Sequence, residues 1–254
     1  MKGVLLGTGG WIPTTRRETC CAFFRAGTHV LLIDAGTGVQ RLVERPDLLE
    51  GVGKVDIVLT HFHLDHVAGL SYLPALSLPE PPRIWGPGRL LTGSSTRSIL
   101  DRLLSPPFSS APLDATTSDV REIPAHQAFE VGPVSVASRV QELHAGSTLA
   151  LRIGDALTYC TDTAPDPGNV AFAAGTRILL HDAWYAQESS DDRNHSAGGD
   201  AGRIAREAGV DHLVLIHVNP FQQSDEALAA SAAREFPDVR VGVDLEALPL
   251  DSRS

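Results

Sequence analysis

Residues 60–70, THFHLDHVAGL, constrain the fold more than any other stretch of the chain. His61, His63, Asp65 and His66 fall within six residues, directly after the apolar run at 55–59. Burying so many polar side chains in one short loop is costly unless something pairs with them, and a metal ion does so. His61 and His63 alternate, so an extended loop turns both rings to one side, where they can share an ion. Asp65 and His66 follow at the turn into VAGL and point elsewhere, toward a second ion. Catalytic zinc typically keeps about three protein ligands and a water, so two ions need about six ligands. The rest of the chain must supply the others.

Candidates stand at the ends of apolar, strand-like runs. His144 ends VQELH, Asp162 ends LTYCTD and His217 ends HLVLIH. Each precedes small or turn-forming residues. A fold that satisfies the cluster must gather these strand ends at one edge of a sandwich. A carboxylate such as Asp162 can then bridge two metals with its two oxygens. His29, His126 and His212 lack this context and are expected to be ordinary, satisfied polar residues.

Strand patterns occupy both halves. KGVLLG, residues 20–25, residues 29–34 and VGKVDIVLTH alternate with glycine turns in the first half. GVQRLVERPDLL between them reads as a short helix cut by Pro46. VGPVSVASRV, STLALRIG, ALTYCTD, TRILLHD, VDHLVLIHV and DVRVGVD are strands in the second half. SAGGDAGRIAREAG is a helix closed by Gly209, and SDEALAASAAREF is a helix opened by Ser224 with two acids in its first turn. Strands followed by helix in each half predict an α+β fold in which two sheets pack face to face under helices. Residues 74–124 differ, being rich in Pro, Ser, Gly and Thr. They are expected to form a surface excursion holding one helix near residues 95–104, within one domain spanning 1–254.

Composition narrows the function. Hydrophobic residues make up 43% of 254, enough for a substantial core. No run approaches the roughly 20 apolar residues of a membrane helix. The opening MKGVLLGTGG is too short and too weakly charged for a secretory signal, so a cytoplasmic location is expected. Cys20, Cys21 and Cys160 do not suggest a disulfide framework, and buried thiols in strands are expected instead. The net charge is −10, and Lys2 and Lys54 are the only lysines. With cations limited to small groups such as Arg16-Arg17 and Arg203/Arg206, a compact substrate is expected rather than nucleic acid.

THFHLDHVAGL resembles the signature of the metallo-β-lactamase superfamily, and the order LIDAGTG, histidine cluster, His144, Asp162, His217 agrees across nearly the whole chain. LLGTGGWIPTTRRETCCAFF, RILLHDAWY and NHSAGGDAGRIAREAGVDHLVLIHVNP are similar to segments of its ribonuclease Z branch, whose framework the cyclic phosphodiesterases of phosphonate breakdown share. The resemblance implies a four-layer αβ/βα sandwich. It implies that His61, His63 and His144 bind a first zinc, that Asp65, His66 and His217 bind a second, and that Asp162 bridges them; Mn2+ or iron are possible substitutes. It assigns catalytic roles to Asp65, His195 and Asp182. Asp182 falls where that branch has a glutamate that holds the histidine. Aspartate is one methylene shorter, which leaves its reach to His195 open.

The tRNA-processing members carry a long arm between the third metal histidine and the bridging aspartate. Here only seventeen residues, 145–161, separate His144 from Asp162. No tRNA partner is expected. The resemblance points to a binuclear-metal hydrolase acting on a small phosphodiester. Thioester or lactone hydrolysis is the alternative, followed by an iron-dependent redox enzyme and a non-catalytic carrier. A homodimer is compatible with the sequence. Arg193, Asn194 and the loop YAQESSDDRN are candidates for the cleft entrance, and Phe108 and Trp85 for its wall or for the core.

Overall fold

The structure, a computed structural model, describes residues 1–125, 127–187, 194–221 and 224–250. The first half contains β1 (Lys2–Gly7), β2 (Cys21–Ala26), β3 (His29–Ile33), α1 (Arg41–Glu44), β4 (Lys54–Val58) and α2 (Leu64–Val67). It continues with β5 (Arg83–Gly86), α3 (Gly88–Thr92), α4 (Thr96–Leu103), α5 (Leu113–Thr116) and β6 (Asp119–Glu122). The second half contains β7 (Phe129–Val131), β8 (Val134–Gln141), β9 (Thr148–Ile153), β10 (Leu157–Cys160), α6 (Gly168–Ala173) and β11 (Ile178–Asp182). After these come α7 (Gly198–Ala208), β12 (His212–Ile216), α8 (Asp225–Ala233), β13 (Val239–Val241) and β14 (Ala247–Leu248).

Among the described residues the strands form two seven-stranded sheets, ordered β14-β1-β2-β3-β4-β5-β6 and β13-β12-β11-β10-β9-β8-β7. Each is antiparallel on one side and parallel on the other, the change falling at β3 in the first and β10 in the second. Neighbouring residues on a strand face opposite sides, and here both sides are buried. Leu5, Phe24, Leu31 and Val58 meet Leu151, Tyr159, Leu180 and Val214 between the sheets. Their neighbours Leu6, Phe23, Leu32 and Ile57 face outward onto Val39, Leu42, Leu70 and Leu100. On the far side Leu179, Leu213 and Leu215 pack under Ala201, Ile204 and Leu228 of α7 and α8. Double burial explains why these strands read as apolar runs rather than as alternations. It also produces the expected α+β four-layer αβ/βα sandwich. Truncating a residue such as Leu31 to alanine would cost about 2–5 kcal/mol.

The Pro/Ser-rich stretch at 74–124 departs from the expected excursion. Its helix is present as α4, with Ser95 accepting a hydrogen bond from the Ser98 amide at the N-cap. The same stretch also supplies β5 and β6, which extend the first sheet in parallel and bury Ile84, Trp85 and Ile123. Four-residue strands flanked by proline and glycine are too short to show a period, and their partners lie far away in sequence. VGPVSVASRV likewise divides at Gly132, where φ is +59°, into the hairpin strands β7 and β8. The short α6 and β14 carry no pattern that sequence reasoning could detect.

Gly209 closes α7 in the left-handed conformation, and Ser224 caps α8 through the Ala227 amide. The three cysteines are buried and unpaired; Cys21 and Cys160 lie in strands and Cys20 just before one. His29 pairs with Asp56 at 2.9 Å and His212 with Asp238 at 2.8 Å, while His126 lies outside the described residues. No helix among the described residues is long and apolar enough to cross a membrane.

Candidate metal centre

The ends of β3, β4, β10, β11 and β12 and the loop after β8 carry Asp34, the histidine loop, Asp162, Asp182, His217 and His144 to one edge of the sandwich. The backbone pays for this at several points. Asp34, Asp162 and His217 have φ of +57°, +50° and +54°. Each such conformation costs a non-glycine residue about 1–3 kcal/mol and persists only where the surroundings enforce it. Gly10 leaves the space that the His217 ring fills: a Cβ there would lie 2.5 Å from two of its ring atoms.

The side chains gather in two groups that share one carboxylate. Ligand atoms of His61, His63, His144 and Asp162 lie within 4.8 Å of one another, as do those of Asp65, His66, Asp162 and His217. Asp162 Oδ1 is 3.5 Å from His144 Nε2 and 3.3 Å from His217 Nε2, and its Oδ2 is 3.0 Å from His66 Nε2. Asp65 Oδ2 is 3.3 Å from His217 Nε2 and 3.5 Å from His66 Nε2. Two atoms bonded at about 2.1 Å to one tetrahedral ion sit about 3.4 Å apart, so these spacings suit shared ions. The Nε2 atoms of His61 and His66 are buried without a hydrogen-bond partner, although His66 Nε2 is so close to Asp162. Ligands that face a common point have this geometry. The nitrogen and carboxylate donors fit zinc, manganese or iron.

Three of the rings are held from behind by a hydrogen bond at Nδ1, and a fourth, His217, faces a carboxylate there without one. His66 Nδ1 is 2.8 Å from Asp34 Oδ2, and His61 Nδ1 is 3.0 Å from Thr60 Oγ1. The Thr60 hydroxyl and amide donate to Asp34, so the threonine oxygen accepts from His61. His144 Nδ1 lies 2.9 Å from the Asn194 carbonyl. His217 Nδ1 lies 3.4 Å from Asp182 Oδ2. Such contacts select the tautomer that leaves Nε2 free for a metal. Asp34 was visible in the LIDAGTG motif, but its role behind two ligands was not.

His195 stands beside the two groups. Its Nδ1 is 2.9 Å from Asp182 Oδ2, so the shorter aspartate does reach it. Its ring stacks on Trp184 at 4.4 Å and 13°, and lies 5.0 Å from the His144 ring. Burial lowers the His195 pKa, but the Asp182 carboxylate outweighs this and holds it above its usual 6.5. Burial pushes the Asp182 carboxyl up, and His195 and His217 together bring it down to about 2. In the absence of bound ions the candidate ligands divide by charge. Burial, reinforced by His66, keeps His61 well below the usual histidine range. His66 and His217 lie well above it, because Asp162 and the other carboxylates outweigh burial. Behind them Cys20 lies within 4.8 Å of His66 and His217. Burial pushes its thiol up to about 11, and the sulfur donates to the Gly9 carbonyl.

The cleft over the cluster, about 190 Å³, is lined by Trp11, His63, Asp65, His144, Asp162, Trp184, His195 and His217. Its walls are therefore Trp11 and Trp184, not the aromatics singled out in the sequence. Trp85 is buried between the sheets against Phe129, and Phe108 is 80% exposed and does not line the cleft. Residues 188–193 of the proposed entrance loop, including Arg193, lie outside the described residues. Asn194 is described, and its carbonyl is the partner of His144 Nδ1. A larger open hollow of about 990 Å³ beside Phe23 and Arg45 contains no convergent ligand set among the described residues.

Comparison with known proteins agrees with this arrangement. Residues 29–218 match the beta-lactamase superfamily domain. The chain is 29% identical to ribonuclease Z of Halobacterium salinarum, with 93% of this chain and 92% of that protein covered. It is 26% identical to ribonuclease Z of Clostridium tetani, with 97% of each covered. The fold is shared with the metallo-beta-lactamase fold protein YhfI of Bacillus subtilis (TM-score 0.80, 21% identity, 97% of this chain and 98% of that one). It is shared also with a diphosphatase of the PhnP family (TM-score 0.74, 19% identity, 98% of each). The short form of human tRNase Z is similar too (TM-score 0.73, 20% identity, 99% and 100%). The chain belongs to the metallo-β-lactamase superfamily, within its ribonuclease-Z-like branch of metal-dependent hydrolases.

Proposed function

We propose that this chain is a binuclear-metal phosphodiesterase acting on a small phosphodiester. His61, His63 and His144 would hold one ion, Asp65, His66 and His217 the other, and Asp162 would bridge them. Zinc suits these ligands best. When bound, such a centre supplies Lewis acidity and lowers the pKa of a water toward neutrality. The chain's own side chains do the rest. His195, whose protonated form the Asp182 carboxylate favours, can give its proton to the leaving oxygen or pair with a phosphoryl oxygen. The His195–Asp182 pair at the edge of the cleft carries this reading, because a carrier has no use for a proton donor beside its ions.

The substrate is read as small because residues 145–161 are taken up by β9, β10 and their connecting turns within the second sheet. They leave no segment for a separate arm. With the net charge of −10, this supports weak tRNA binding. We place the protein in the cytoplasm as one domain spanning 1–254. The test is a panel of bis-p-nitrophenyl phosphate and 2′,3′- and 3′,5′-cyclic nucleotides against acyl thioesters and lactones. Turnover of the diesters is expected. Turnover of the acyl substrates alone would replace the proposal with thioester or lactone hydrolysis.

A further inference from the structure

The cleft is bordered by an exposed tryptophan and its aromatic neighbour, which a metal site does not need. Trp11 is 60% exposed and Phe221 68% exposed, and their rings meet edge to face at 5.9 Å and 72°. Ile12, Leu64 and Leu143 are exposed as well, next in sequence to Trp11, His63 and His144. Large apolar side chains gathered in water at a functional cleft mark a binding surface.

Trp11 is the informative one. Its φ is +63°, and its amide donates to Asp65 Oδ2 at 2.7 Å. The backbone needs that conformation to hold the aspartate. Glycine would provide the same amide with less strain, since a side chain disfavours left-handed geometry. The backbone therefore does not explain a tryptophan here; the ring does. The loop is firmly held. The Thr8 and Glu18 amides donate to Asp244 at 3.0 and 2.7 Å, the Gly10 amide donates to the Val218 carbonyl and the Val218 amide to the Thr8 carbonyl, and Arg17 pairs with Asp225 at 2.6 Å. The ring is thus presented on a fixed support and braced by Phe221.

The cleft volume of about 190 Å³ is small beside the roughly 300–1,000 Å³ of ordinary ligand pockets. It is too small to enclose a phosphate together with a large organic group, so the organic part of such an ester extends toward the rim. Trp184 shares the cleft and is already stacked on His195, which among the described residues leaves the Trp11–Phe221 pair as the open aromatic surface.

We infer that Trp11, braced by Phe221, is the specificity-determining residue that receives a planar aromatic group of the substrate's ester. This rests on the phosphodiester reading for the kind of ester, but the stacking itself can be tested without turnover. The group can be an aryl ring or a nucleobase, since both present a flat π-face.

The test is equilibrium binding of four monoesters to the metal-loaded full chain: phenyl phosphate against methyl phosphate, and AMP against ribose 5-phosphate. In at least one pair the aromatic member should bind about tenfold to hundredfold more tightly, the range expected of one stacked ring. The pair that shows the gap identifies the source of the ring. Trp11→Gly, which suits the left-handed backbone, should abolish the gap, Trp11→Phe should keep most of it, and Phe221→Ala on the exposed turn should narrow it. No gap in either pair, no measurable binding of phenyl phosphate and AMP at millimolar concentration, or a gap unchanged in Trp11→Gly would overturn the inference. A Trp11-dependent gap without hydrolysis of any diester would keep the stacking and sink the proposed reaction. Diester hydrolysis without a gap would do the reverse.

Discussion

One oxygen of Asp182 serves two histidines: Oδ2 lies 2.9 Å from His195 Nδ1 and 3.4 Å from His217 Nδ1. The first contact is a hydrogen bond and the second an ion-pair approach, so the candidate proton donor and a candidate metal ligand face the same atom. A change at Asp182 should reach both the chemistry and the metal, whereas a change at His195 should reach the chemistry alone.

His195→Ala should lower kcat by about 10²–10⁴ on a diester with a poor leaving group. The loss should be smaller on p-nitrophenyl esters, whose leaving group needs no proton. Metal content should stay as in the unaltered protein. Full activity on the poor leaving group would remove His195 from the mechanism, and loss of metal would make it a ligand.

Asp182→Ala should show a milder form of that kinetic pattern. In addition it should weaken binding of the ion at His217 by about 10–100-fold, the usual effect of removing a group that orients a ligand. Competition with a chromogenic chelator measures this. Unchanged affinity would restrict Asp182 to His195.

His61→Ala should lose activity and at least one of two bound ions, because His61 Nε2 faces the shared site without any other partner. Elemental analysis of metal-supplied protein checks the count. One ion or none in the unaltered chain would contradict a binuclear centre.

Metal binding should release protons. His66 and His217 lie well above the usual histidine range in the absence of ions, so they are protonated at pH 7 and must shed their protons to bind. His61 and His63 are shifted down and are already neutral. Affinity should therefore fall as pH drops, with the ion at Asp65, His66 and His217 leaving first. Calorimetry at pH 7 in buffers of different ionisation enthalpy should show release of ~2 protons per chain. No release would refute the charge assignment.

Gly10→Ala should weaken the same ion without unfolding the chain, because its Cβ would lie 2.5 Å from the His217 ring. The circular dichroism spectrum should be retained while chelator competition shows weaker binding. An unaltered affinity would mean that the ring yields readily.

The candidate ligands were legible in the sequence because their chemistry and spacing are local, whereas the division of His144 and His217 between two ions was implied by the family resemblance alone. His61, His63, Asp65 and His66 sit in one loop, and His144, Asp162 and His217 each end an apolar run. The strands were legible for the same reason, since runs such as LVLI signal double burial. Other features depend on contacts between distant segments. β5 and β6 become strands only by joining a sheet edge, so the proline-rich stretch containing them read as surface. Trp85 and Phe108 could not be sorted into core and surface from their neighbours in sequence, and Trp11 and Trp184 reach the cleft only when the opening loop meets the end of β11. The sequence by itself determined the candidate ligand types, the doubly buried strands and the helices bounded by Gly209 and Ser224, all set by side-chain chemistry and local spacing. Tertiary structure decided which carboxylate oxygen meets which imidazole, which aromatics line the cleft and that Asp182 reaches His195, because strand register and left-handed turns set those distances across the chain.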